Sequence, residues 1–198
     1  MTVLSIPAPE TYFAAYVKRL DATMRLVDWA PVAKLANELL NCWKTGRQVF
    51  LIGNGGSAGN AIHLANDFLY ALSRREGSGL RAHALTENAA VLSCLANDEG
   101  FDQVFSLQLA VMARPDDVLL AFSGSGNSPN ILRALRQARA IGMRSYAVLG
   151  FSGGAAMALA DTPIHVPVDD MQIAEDAQLI FGHMLMQWLH AHCDPVAA

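Results

Sequence analysis

The chain reads as an α/β protein: a three-layer sandwich around a mostly parallel five-stranded sheet, preceded by an N-terminal helical arm. Three observations predict this. Short apolar runs near 48–52, 80–85, 117–122, 144–149 and 163–167 have strand length and are mostly separated by segments of helical period. Two of these runs empty into loops of glycine and serine that lead straight into a helix, the βα alternation of a parallel sheet. The residues ahead of the first run carry helical period throughout. One domain is expected over 1–198, with the arm at 1–45 and the α/β core at 46–198.

In order along the chain, Tyr12, Ala15, Tyr16, Leu20, Met24 and Val27 mark one helix of the arm, and Val32, Leu35, Leu39 and Trp43 another, ended by Gly46. Gln48-Val49-Phe50-Leu51-Ile52 is a buried strand. It is followed by Gly53-Asn54-Gly55-Gly56-Ser57-Ala58 and a helix from about Ser57. Residues 74–79 form a loop, and Leu95–Phe101 a polar turn between two short helices. Val118-Leu119-Leu120-Ala121 is a second buried strand. It empties into Phe122-Ser123-Gly124-Ser125-Gly126-Asn127-Ser128-Pro129-Asn130, where Asn127 or Ser128 can cap the next helix and Pro129 suits its first turn. Residues 151–154 form another loop, the last helix runs from about Met171 to His192, and Pro195 closes the chain.

The two Gly/Ser junctions carry the functional signal. Each offers hydroxyls, exposed backbone N–H groups and a helix N-terminus, which together attract a phosphate or another anion. A lone junction of this kind can be a plain turn. Two of them at the carboxyl ends of parallel strands form a ligand edge, and a small phosphorylated molecule is the first inference. Gly53–Ala58 also satisfies the dinucleotide-binding spacing, but Glu87 lies too far on to serve as the ribose acid, so nicotinamide and flavin readings are set aside.

Two clusters of titratable residues lie nearby. His63 and Asp67, spaced i, i+4, face the same way; they can hold a divalent metal, orient an imidazole, or simply pair in solvent. On the last helix Glu175, Asp176 and His183 stand amid apolar residues. The acids suit a first helical turn, and His183 is either a site residue or a core histidine. Asn97 and Asp98 can bond sugar hydroxyls or form an Asx turn. His83, His165, His190 and His192 receive no role, and Met171, Met184 and Met186 are read as core fillers.

Hydrophobic content of 53% with 16% charged residues is high for a monomer, so subunit contacts are expected. A net charge of −4 argues against a general nucleic-acid binder. No apolar run reaches membrane-span length, the first residues lack signal-peptide character, and Cys42, Cys94 and Cys193 are unpatterned. A cytoplasmic protein with no membrane partner is expected.

Gly53-Asn54-Gly55-Gly56-Ser57, His63, Thr86-Glu87-Asn88, Ala96–Phe101, Ser123–Asn130 and Gly182-His183 fall in the order seen in phosphoheptose isomerases, and the chain resembles these SIS (sugar isomerase) domain proteins over nearly its whole length. The resemblance implies a homotetramer with sites at subunit interfaces and one zinc ion per site. The implied reaction is an aldose–ketose isomerisation of sedoheptulose 7-phosphate to an aldoheptose phosphate. It implies that Ser57, Ser123, Ser125 and Ser128 hold the phosphate, with Gly55 and Gly124 in the same loops. Asn54, Asn97, Asp98 and Glu175 would bind substrate. His63, Asp67, Glu175 and His183 would form the metal set, with Asp67 as base and His183 as acid.

The sequence departs from the family pattern at several of these positions. A family glutamate is the shorter Asp67, a glutamine is Glu175, and a glutamate and histidine are Asp176 and Gln178. An arginine is replaced by Ala71, with Arg74 and Arg75 as candidate substitutes. The same resemblance admits a second class, a non-catalytic phosphosugar-binding or regulatory protein such as a replication-initiator partner.

Overall fold

The computed structural model describes residues 8–71 and 79–193. The arm is α1 (Pro9–Met24) and α2 (Trp29–Thr45), the latter capped by the Asp28 carboxylate on the Ala30 N–H and ended by Gly46 in the left-handed region (φ 69°). Five strands follow: β1 (Gln48–Ile52), β2 (Arg81–Ala84), β3 (Val118–Ser123), β4 (Arg144–Leu149) and β5 (Thr162–His165). All pair in parallel, in the order β2-β1-β3-β4-β5. The helices between them are α3 (Gly56–Asn66), α4 (Ala89–Asp98), α5 (Ser106–Met112), α6 (Pro129–Ile141) and the short α7 (Ala156–Leu159), and α8 (Met171–Cys193) ends the fold.

The strands are apolar at nearly every position because both faces are covered. Val49, Leu51, Val118, Leu120 and Phe122 pack under Leu35, Leu39, Leu64 and Phe181, so α2, α3 and α8 form one layer. The alternate residues Phe50, Ile52, Leu119 and Ala121 pack under Leu109, Ile131, Leu135 and Ala138, so α5 and α6 form the other. The chain therefore turns to opposite faces after β1 and β3. These strands are neighbours, and such a switch point opens a crevice at their carboxyl ends.

Three local features differ from the sequence reading. Asn97 and Asp98 lie in the last turn of α4 rather than in a loop, with Asn97 Nδ2 donating to Asp98 Oδ1 (2.7 Å). Ser128 occupies the N-cap position of α6 without making a capping bond. Met186 packs on the core as read, whereas Met171 (36% exposed) and Met184 (47%) do not fill core gaps. Residues 74–78, with Arg74 and Arg75, and Pro195 lie outside the described residues.

On the arm, Tyr12, Phe13, Val17 and Leu26 remain exposed, and Val111 on α5 is 81% exposed. No helix among the described residues is long and apolar enough to cross a membrane.

Candidate functional site

At the β1/β3 crevice two loops face one another. The first runs from Gly53 into α3; Gly55 holds φ 56°, which turns the chain so that Gly56 and Ser57 start the helix at the strand end. The second is Ser123–Ser128. Within it the Gly126 N–H donates to Ser123 Oγ (3.0 Å) and the Asn127 N–H to Ser125 Oγ (3.3 Å). Asn54, Gly55, Ser57, Ser123, Gly124, Ser125, Ser128 and Glu175 line one cavity of about 250 Å³, with Phe122 and Met171. Eight residues chosen from the sequence thus share one pocket. Among the described residues no lysine, arginine or histidine lines it, and the N-terminal N–H groups of α3 and α6 are its electropositive features.

Glu175 reaches the pocket from the first turns of α8. A β-carbon at position 56 would stand 2.6 Å from its Oε1, so its carboxyl lies flat on the glycine that starts α3. From there α3 and α8 run side by side in the same direction. Asn60 Nδ2 donates to the Glu175 carbonyl (2.9 Å) and to Gln178 Oε1 (3.1 Å). One turn further on, Gly182 meets Leu64; a β-carbon there would lie 2.8 Å from Leu64 Cγ and closer still to its methyls. This approach brings the neighbouring residues into contact.

Those neighbours are His63 and His183, whose Nε2 atoms lie 2.9 Å apart, the rings being nearly perpendicular at 73°. Asp67 Oδ2 lies 3.3 Å from His63 Nε2 and 3.6 Å from His183 Nε2. Asp67 opens a single π-helical turn, Asp67–Ala71, that continues α3. The imidazoles are about half exposed and the carboxylate is largely buried. Ligand atoms at the corners of a zinc tetrahedron stand about 3.3 Å apart. The three nitrogen and oxygen atoms therefore fit one divalent ion, with a fourth position left for water or substrate.

Glu175 is not in this trio, its carboxyl lying instead against Gly56 at the start of α3. Asn97 and Asp98 are outside the cavity too, at the exposed end of α4, where Cys94 Sγ approaches Asp98 Oδ2 (3.4 Å). The Asn97 amide and Cys94 thiol hold the Asp98 carboxyl below the usual range.

Sequence reasoning missed three contributors. Asn130 was read only as part of a loop motif, yet its amide is paired with that of Asn54. Gly182 sets the helix approach, a role that no single-helix periodicity reveals. The Tyr16 hydroxyl donates to Asp176 Oδ2 (2.6 Å), tying the arm to the start of α8, and burial together with that carboxylate pushes the phenol up to about 12.

The chain is similar to known proteins. The SIS domain family model matches residues 11–150. A phosphoheptose isomerase of Trichlorobacter lovleyi is 37% identical over 156 residues, 79% of each chain. One of Burkholderia pseudomallei is 38% identical over 170 residues, 85% of this chain and 81% of the relative. The solved structure of a phosphoheptose isomerase from Francisella tularensis superposes with a TM-score of 0.84 at 30% identity, covering 91% of this chain and 95% of that one.

Proposed function

This chain belongs to the SIS domain family, within its phosphoheptose isomerase group, and is an isomerase acting on a sugar phosphate; we propose that it converts sedoheptulose 7-phosphate to an aldoheptose 7-phosphate. The carrying observation is the distance relation between cradle and trio. Ser57 and His63 are six residues apart on α3, about 9 Å along the helix. A sugar of several carbons can thus keep its phosphate in the Gly/Ser cradle while its carbonyl end lies beside His63, Asp67 and His183.

In this reading Ser57, Ser123, Ser125 and Ser128 bind the phosphate, with Gly55 and Gly124 allowing their backbones to approach it. Asp67 takes a proton from C1 of the ketose as the C1–C2 double bond forms. His183 delivers a proton to the C2 oxygen, which completes the enediol. Return of a proton to C2 and loss of one from the C1 oxygen give the aldose. Asp67 is one methylene shorter than the family glutamate, and the approach of its Oδ2 to both imidazoles supports its place in the trio.

His63, Asp67 and His183 would hold zinc through Nε2, Oδ2 and Nε2, leaving Asp67 Oδ1 as the base and the Nδ1–H of His183 as the acid. When bound, such an ion polarises the substrate carbonyl. Glu175, on the cradle side, faces the sugar rather than the metal. Asn97 and Asp98 would meet substrate only across a subunit boundary, and the exposed apolar side chains of α1 and α5 support a homotetramer. A cytoplasmic enzyme fits the reduced, unpatterned cysteines. Paired imidazoles beside a phosphate cradle favour chemistry over a purely regulatory role, for which they have no use.

The test is incubation of purified, zinc-supplemented protein with sedoheptulose 7-phosphate in D2O. Aldose formation with deuterium entering the sugar is expected. Absence of turnover with every heptulose and hexulose phosphate tried would overturn the assignment.

A further inference from the structure

The two cradle loops are rooted on opposite layers of the sandwich, and the β1–β3 pairing that holds their strands together ends at Ile52 and Ala121. Beyond that point, the side-chain hydrogen bonds crossing between the loops among the described residues come from one pair. Asn54 Nδ2 donates to Asn130 Oδ1 (2.9 Å), and Asn130 Nδ2 donates back to Asn54 Oδ1 (2.8 Å). Asn130 is 1% exposed, and its Oδ1 also accepts the Ile131 N–H (2.9 Å) in the first turn of α6.

We propose that Asn130 is a positioning residue for phosphate binding: through its reciprocal amide pair with Asn54 it fixes the gap between the two loops of the cradle. The inference rests on the sugar-phosphate reading of that cradle.

Service as a helix-end acceptor would need only Oδ1, which an aspartate, serine or threonine supplies equally well. The bond from Asn130 Nδ2 to Asn54 is superfluous to α6, and its function lies across the crevice. Two amides that each give and accept one bond resist rotation of either side chain, since turning one breaks both bonds. Asn54 lines the cavity, and Ser57 follows it by three residues. Ser128 lies two residues before Asn130. The pair therefore sets how far apart the hydroxyls of the two loops stand when a phosphate enters. Burial makes the coupling strong, because a lost bond leaves a polar group without water.

The chemistry of the pair provides its own test. Asn130→Asp keeps the acceptor for Ile131 N–H and Asn54 Nδ2, and suits a helix N-terminus. As a carboxylate it sets an oxygen against Asn54 Oδ1. Protonated, it donates there again. The full-length protein and the variants N130D, N130A, N54A and N54A/N130A would be compared by calorimetric titration with inorganic phosphate and by kinetics with sedoheptulose 7-phosphate.

N130D is expected to weaken phosphate binding and raise KM about tenfold at pH 8, with kcat within about threefold of wild type. Relative to wild type at each pH, that defect shrinks towards pH 5, whereas the uncharged N130A shows a defect that does not recover. The double variant is expected to be no worse than the poorer single variant, because the two amides act as one unit. Unchanged KM and phosphate affinity in N130D, additive effects in the double variant, or a loss confined to kcat would each overturn the inference. Should N130A fail to fold, N130D and N54A decide the matter, since both leave the helix-end acceptor in place. A wild-type protein that neither binds phosphate nor turns over a ketose phosphate would refute the isomerase reading instead.

Discussion

Gly182→Ala is the substitution that best tests how the trio is assembled. The added β-carbon would stand 2.8 Å from Leu64 Cγ, where carbon atoms ordinarily rest about 3.5–4.0 Å apart. Leu64 is fully buried against the sheet and cannot swing aside, so α3 and α8 must part by about 1 Å or the core must strain. Overpacking of this kind costs about 1–3 kcal/mol of stability. The larger effect is on chemistry. His63 and His183 are the chain neighbours of Leu64 and Gly182, and their 2.9 Å contact would open by a similar amount. A displacement of about 1 Å in a catalytic group can lower the rate about a hundredfold. The assay pairs kcat/KM for the ketose phosphate with the zinc content of the purified variant and its melting temperature. A folded variant within threefold of wild-type activity would refute the claim that Gly182 sets the trio's spacing.

Other outcomes follow from the same geometry. Glu175→Gln removes the carboxylate proposed to bind the sugar; a hydrogen bond to a charged group is worth about 1.5–3 kcal/mol, so KM should rise about tenfold or more, and a fall would show that Glu175 only repels the phosphate beside it. Treatment with a chelator, followed by zinc, should abolish and restore turnover, while His63→Ala should lose activity that zinc cannot restore; full activity in metal-free protein would remove the ion from the mechanism. Burial pushes the Cys42 thiol up to about 11, so the neutral form stabilises the fold below the ordinary thiol value near pH 9, and that contribution is lost as pH rises through 11. Peptide mapping after mild alkylation should accordingly find the exposed Cys94 modified and Cys42 modified only after unfolding; early labelling of Cys42 would contradict its place in the core.

The architecture was legible because parallel strands buried on both faces give uninterrupted apolar runs, and the Gly/Ser junctions mark where each run meets a helix. The cradle was legible for the same reason: Ser57 and Ser123–Ser128 are local to those junctions. The i, i+4 rule likewise placed His63 beside Asp67. What stayed hidden lies between elements. Glu175 and His183 share α8, but only the packing of α3 on α8 decides that one meets Gly56 and the other His63. Asn54 and Asn130 are 76 positions apart, and nothing in either neighbourhood announces the pairing. Periodicity gave α1 an apolar stripe without saying that Phe13 and Val17 would stay uncovered within one chain.

The reversal of direction at β1 and β3 has a consequence for the motion of the whole domain. α3 is anchored in one apolar layer through Ala61 and Leu64, and α6 in the other through Ile131 and Leu135. A phosphate gripped by both helix starts acts as a rivet driven through the sheet, joining two half-cores that could otherwise breathe separately. Amide hydrogens in α3 and α6 should then slow their exchange together on ligand addition, rather than one layer tightening alone.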